Sequence, residues 1–198
     1  MRQFGKFRIW ALTRDRRGAT LVEFGFVALP LSLVIMGIAD MGYQSYLNAV
    51  TKGVLDRAAR AASVGAMTST QLDSFVDQEM GAIVSKQASI TKVKKSYYNF
   101  SRIGKPEKIL TDTAPIGTYN SGDCFEDINS NGTYDTDTGA TGLGGADDVV
   151  YYQVTVSMPR LFPMAKLLGW PANQTASASA IIRNQPWANQ TSPPKVCT

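Results

Sequence analysis

Between Asp127 and Asp137 the chain reads Asp-Ile-Asn-Ser-Asn-Gly-Thr-Tyr-Asp-Thr-Asp, with side-chain oxygens at alternating positions ahead of a glycine. Calcium requires about six to eight hard oxygen ligands gathered by a tight turn, and this order supplies several of them. Asp127, Asn129 and Asn131 would bind through side chains, Thr133 through its carbonyl, and Asp135 directly or through water. The EF-hand pattern closes with a glutamate at its twelfth position; here that residue is Thr138, and Asp137 stands one place early. Closure would have to come from Asp137, Asp147 or Asp148. From 119 to 148 there are seven acids and no Lys or Arg, so a bound cation would relieve their repulsion. Without one, the stretch is a solvated, turn-rich acidic loop.

A second carboxylate stands where water is excluded. Ala19 to Ala39 is 21 residues with one charge, Glu23. As a helix it would be about 31 Å long, the thickness of a bilayer's hydrocarbon core. A carboxylate inside such a span costs a few kcal/mol unless it is paired. Cleavage after Gly18 would create an α-amino group on Ala19, and Glu23 of one subunit could then neutralise the Ala19 ammonium of another. Left uncut, Glu23 would snorkel toward the interface.

Other chemistry is thinly represented. The chain has no histidine, which excludes Ser-His-Asp and Cys-His catalysis and ordinary zinc sites. Gly142, Gly144 and Gly145 lack the Gly-Lys-Ser/Thr continuation of a phosphate loop. Nothing names an enzyme; an anchored hydrolase using acids of 123–148 has no recognisable substrate motif. Cys124 and Cys197 make no Cys-x-x-Cys pattern: in an exported domain they most simply form one disulfide, and in a reducing compartment they would stay apart.

The charge is unevenly placed. Of the net +4, residues 1–17 carry +5 through Arg2, Lys6, Arg8, Arg14, Arg16 and Arg17 against Asp15. The remainder is weakly acidic, so no nucleic-acid face is indicated. Basic residues before an apolar span place the N-terminus in the cytoplasm and the chain beyond the span on the exported side. The apolar run is too long for a typical signal peptide core and is not closed by a small-x-small cleavage site.

The helical period continues beyond the span through Leu47, Val50, Val54, Leu55, Ala58, Ala61 and Ala62, giving one helix over 19–62 with a kink expected at Pro30. A second helix is expected from Thr70 to Lys86, capped by Ser69 or Thr70, with Leu72, Phe75, Val76, Met80, Ile83 and Val84 on its apolar face. The period then falls to two. Residues 90–100, the run around Val150–Met158 and Thr175–Asn184 read as strands, separated by a polar stretch over 104–148. The segment PRLFPMAKLLG reads as a short helix or turns, and the tail after Asn184 as extended chain. At 198 residues, with 44% apolar and 18% charged content, the chain holds one anchor and one modest domain.

At the junction Arg16-Arg17-Gly18-Ala19-Thr20-Leu21-Val22-Glu23-Phe24 the sequence resembles type IVb prepilins and pseudopilins, whose leaders end in glycine and whose mature helices carry Glu-Tyr or Glu-Phe at the fifth and sixth positions. More narrowly, residues 14–64 resemble TadE-type minor pseudopilins of the tight-adherence (Flp) pilus. GLGGADDVVYYQVTV and SASAIIRNQPW look similar to the distal part of those proteins. Phe24 stands where major Flp pilins commonly have tyrosine, and the exported domain is far longer than theirs, which implies a minor component. The resemblance implies an α+β, pilin-like fold: a long kinked transmembrane helix followed by a small antiparallel-sheet domain. It divides the chain into a prepilin leader (1–18), a helix (19–62) and an exported domain (63–198) with the acidic loop 119–148. It implies cleavage between Gly18 and Ala19 by a prepilin peptidase, and register set by Glu23 and Phe24. The implied partners are other pilins and pseudopilins and the pilus assembly platform, from a single-pass place in the bacterial inner membrane and within the pilus. The rival reading is an uncleaved, membrane-anchored envelope protein whose working part is a calcium-binding loop.

Overall fold

The computed structural model describes residues 18–63, 67–162, 168–185 and 188–197; the basic stretch 1–17 and most of FPMAKLL lie outside them. Helix α1 spans Ala19–Ser63, 45 residues, and is continuous through Pro30. Proline lacks the N–H that would bond the Phe26 carbonyl. Two residues on, the Ser32 hydroxyl donates back to the Ala28 carbonyl at 2.7 Å. This is one helix long and apolar enough to cross a membrane, with a mean hydropathy of 2.2 over its most apolar window and none of that window buried. Leu21, Phe24, Phe26, Val27 and Leu29 are all exposed, the burial expected of a segment whose solvent is lipid or other helices.

The chain divides into two compact units: one comprises the helix to Tyr43 together with Leu161–Ala172, the other Gln44–Arg160 with Asn173–Thr198. In the second unit, α1 buries Leu47, Val54, Leu55, Ala58 and Ala62. The three- and four-residue spacing of these side chains makes one face of the helix apolar. Helix α2, Ser69–Gly81, is shorter at its C-terminal end than its periodicity suggests. Its cap is Thr68, not Ser69 or Thr70. The Gln71 N–H donates to the Thr68 hydroxyl and the Thr68 N–H to Gln71 Oε1, a closed capping box. Beyond Gly81 the N–H groups of Ile83 and Val84 both turn back to the Met80 carbonyl, so these two residues lie in the terminating turn. Leu72, Val76 and Met80 are fully buried, each contributing about 1.5–3 kcal/mol of transfer free energy.

The four-stranded antiparallel sheet has the order β4-β1-β5-β6: Ala140–Thr141, Ser89–Tyr97, Val149–Pro159 and Asn173–Arg183. Along β5, Val150, Tyr152, Val154, Val156 and Met158 are buried and alternate with half-exposed neighbours. Ion pairs Lys92–Asp77 and Lys94–Asp73, each at 2.5 Å, set α2 over that same face. Arg57 to Glu79 at 2.6 Å joins α1 to α2. A smaller sheet, β2-β3-β7 (Ile109–Thr111, Cys124–Glu126, Lys195–Cys197), carries the acidic loop. The chain thus has the α+β layout expected of it: a long N-terminal helix, then a small antiparallel-sheet domain.

Candidate functional site

Two places hold the residues singled out by sequence. At the first, Gly18 is exposed at the start of α1, and Ala19 is the first residue of the helix. One turn further, Glu23 is exposed and, among the described residues, has neither an ion-pair nor a hydrogen-bond partner. Phe24 beside it is 71% exposed. Glu23 is the one charge between Ala19 and Ala39, and a carboxylate in such an apolar span is costly in lipid until a cation meets it.

At the second, Asp127 Oδ1 accepts the Asn131 N–H at 3.1 Å and its Oδ2 accepts the Gly132 N–H at 2.9 Å. Asn129 and Asn131 both donate their side-chain amides to Asp135 Oδ2, at 2.7 and 2.6 Å. The Asn131 side-chain oxygen receives the Thr133 N–H and hydroxyl, each at 2.7 Å. Gly132 takes φ 77°, as the turn requires. The structure therefore brings Asp127, Asn129, Asn131 and Asp135 together, each with at least one side-chain oxygen occupied by donors of the loop itself. Asp137 turns elsewhere: it is ion-paired with Lys95 and accepts the Gly139 N–H. Thr138 is buried and donates to the Arg102 carbonyl. Asp147 pairs with Arg183 at 2.8 Å, and Asp148 accepts the Gly145 N–H and the Gln190 amide. Among the described residues no three of Asp, Glu and Cys are grouped so as to hold a metal ion.

Sequence reading missed the residues that brace this loop. Glu107, buried in the 104–148 stretch, accepts the Ile128 N–H at 2.9 Å and the Asp135 N–H at 3.0 Å. Burial pushes its carboxyl up, with Asp127 and Asp135 adding to the rise and the two N–H donors opposing it. For Asp137 burial also acts upward, but Lys95, the Gly139 N–H and the Tyr97 hydroxyl outweigh it and hold the carboxyl low. Tyr97 in turn is pushed up to about 12, by burial first and then by its bond to Asp137. Its ring lies where a Cβ on Gly139 would come within 2.7 Å, so no side chain fits at 139. Tyr119 stacks on Tyr134 at 4.1 Å, and both meet Phe125 edge-on. No sequence signal marks Glu107: flanked by Pro106 and Lys108 it reads as a surface acid, and only the fold shows it buried with the donors a carboxylate inside a domain requires.

The second sheet fixes the loop's base. Cys124 and Cys197 are opposite one another in the β3–β7 ladder and form a disulfide closing 73 positions of chain. A bond of that kind typically contributes about 2–4 kcal/mol. The Asp127 N–H donates to the Pro194 carbonyl at 2.9 Å, tying the first loop residue to the tail.

The comparison with family models falls on the first place. Residues 18–63 match the TadE-like protein family. The match begins at Gly18, takes in Ala19, Glu23 and Phe24, and ends with α1, so the TadE-like similarity covers the helix and leaves the sheet domain unmatched. It agrees with the resemblance carried by the same residues and points to tight-adherence pilus systems. No curated protein and no solved structure matches the chain.

Proposed function

We propose that this protein is a minor pseudopilin that takes part in assembling a tight-adherence (type IVb) pilus. In this reading α1 anchors it in the bacterial inner membrane with the N-terminus in the cytoplasm and the sheet domain exported. Prepilin peptidase cuts between Gly18 and Ala19, and Glu23 pairs with the α-amino group that the same cleavage creates at the N-terminus of a neighbouring subunit. The role is assembly, not catalysis; partners are other pilins, pseudopilins and the assembly platform. One observation carries it: Glu23, exposed and without a partner among the described residues, five residues after Gly18 on an exposed apolar span that matches TadE-like proteins. Support comes from energetics, since that carboxylate is costly in lipid until a cation meets it. The test is piliation with Glu23→Val and Glu23→Gln. Both variants should insert and be processed yet fail to support pili; normal piliation with valine at 23 would sink the pairing.

A second reading rests on the convergence of Asp127, Asn129, Asn131 and Asp135. Calcium would take Asp135 from the two amides, which would turn to present their oxygens, and Thr133 would add its carbonyl. This occupant is compatible with the pseudopilin role and would be the working part of the protein if the anchor were never cleaved.

A further inference from the structure

β6 forms one edge of the four-stranded sheet, and the ladder shows which of its backbone groups face outward. The Gly142 N–H donates to the Lys94 carbonyl at 3.2 Å, so even-numbered residues of β1 turn toward β4 and odd-numbered ones toward β5. The odd residues of β5 then bond β1, and its even residues bond β6. Asn184 continues this even-numbered ladder, its N–H on the Asp148 carbonyl at 2.9 Å. The N–H and C=O groups of Thr175, Ser177, Ser179, Ile181 and Arg183 consequently point away from the sheet. Gln44 covers the first of these, donating its amide to the Thr175 carbonyl at 2.7 Å. Among the described residues nothing bonds the outward backbone of Ser177, Ser179 or Ile181, and all three side chains are exposed.

Exposed edges are ordinarily guarded by lysine, proline, a bulge or a covering segment. β6 has no proline and no bulge in its register with β5. Its one charge, Arg183, is at the strand end and is paired with Asp147. The opposite side of the sheet differs: β1 carries Lys92, Lys94 and Lys95 and is partly covered by β4.

We propose that β6 is an association edge whose occupant is the β6 edge of a second copy of this chain, joined antiparallel about Ser179. The open stretch, 177–181, is centred on that residue because Gln44 closes the edge at Thr175. A two-fold exchange sets Ser179 against Ser179, Ser177 against Ile181 and Thr175 against Arg183. No like charges meet, and the central side chains are small enough for close approach. One patch that is its own complement needs no other partner chemistry. The even face stays inward in both copies, so buried Gln174 and Ala176 are not exposed. A short edge is weak in dilute solution, but anchoring two copies in one membrane raises their effective concentration. This inference does not rest on the pseudopilin reading.

Ser179→Cys in the full-length chain, kept in its membranes, tests it. Both native cysteines are tied up in the disulfide, so the new thiol reacts alone. Opposed residues in an antiparallel pair have Cα atoms about 4.5–5.5 Å apart, within disulfide reach. Mild oxidation should give a homodimer several-fold more abundant than from Thr91→Cys, an exposed position on β1. Ser179→Lys, which opposes like charges at the two-fold, should turn a dimer into a monomer by sedimentation in detergent at unchanged melting temperature. Recovery of Ser179→Cys only as monomer, at the Thr91→Cys yield, or only in a mixed disulfide with a different protein would overturn the proposal.

Discussion

Glu107 and Asp135 bond to each other in both directions: the Glu107 N–H donates to the Asp135 carbonyl at 2.9 Å, and the Asp135 N–H donates to Glu107 Oε2 at 3.0 Å. The other carboxylate oxygen of Glu107 receives the Ile128 N–H. One buried side chain thus holds the outgoing and returning arms of the acidic loop at a fixed separation, and the loop keeps its shape through its own donors.

Removing that brace should be costly. Glu107→Ala leaves the Ile128 and Asp135 N–H groups without acceptors, and an unsatisfied buried donor costs about 1–3 kcal/mol. Thermal or urea unfolding of the full-length protein in detergent measures the loss. Because the carboxyl is raised above its ordinary 4.5, the stability it contributes is fully present below that value and lost as pH rises through the folded-state value. The gap between wild type and Glu107→Ala should therefore be wider at about pH 4 than near neutrality. A gap that widens toward neutral pH would contradict this.

The elements were legible in sequence where the period was long and regular. α1 is set by three- and four-residue spacing, and β5 by the strict alternation from Val150 to Met158. The cap of α2 was misplaced because Thr68, Ser69 and Thr70 are all capping types, and only Gln71 three residues after Thr68 distinguishes the first. The 104–148 stretch hid three strands of two or three residues each, too short to show any period. At the loop, the alternation of Asp127, Asn129 and Asn131 was visible, but their internal bonding was not. The Lys95–Asp137 pair joins residues 42 positions apart, which no local pattern encodes.

Acid should loosen the loop region at a second point. Asp123, fully buried, accepts the Thr113 N–H and hydroxyl, each at 2.7 Å, and the Asn120 N–H at 2.9 Å. The Thr113 N–H first, with these other donors, holds its carboxyl below the ordinary 3.8 against burial. A lowered carboxyl contributes stability that is present above its unfolded value and lost as pH falls through the folded one. Asp123→Asn should be less stable than wild type at neutral pH, and its melting temperature should fall less steeply below about pH 4. Parallel acid limbs in the two proteins would rule this out.

Calcium in the loop has a separate signature. Asp127 caps two N–H groups without any cation, so Asp127→Ala should lower stability even in chelator, by about 1–3 kcal/mol. The informative quantity is the difference between calcium and chelator. At a hundred times Kd, calcium should add roughly 2.7 kcal/mol to the oxidised wild type. Asp127→Ala should lose most of that increment. No shift of the wild-type melt at millimolar calcium would leave the loop a self-bonded surface feature and leave the pseudopilin reading intact.

In the proposed function the chain is cut at the junction of its basic stretch and its apolar helix, then assembled through the amino group so made. Intact-mass measurement of the membrane-extracted protein, from cells with and without the prepilin peptidase, tests it most directly. The mature chain should begin at Ala19 where the peptidase is present and retain its leader where it is absent. Gly18→Arg should keep the leader even with the peptidase, without hindering the fold, because Gly18 is exposed and a Cβ there meets nothing within 4 Å. A full leader on wild-type protein from cells that are making pili would contradict the account.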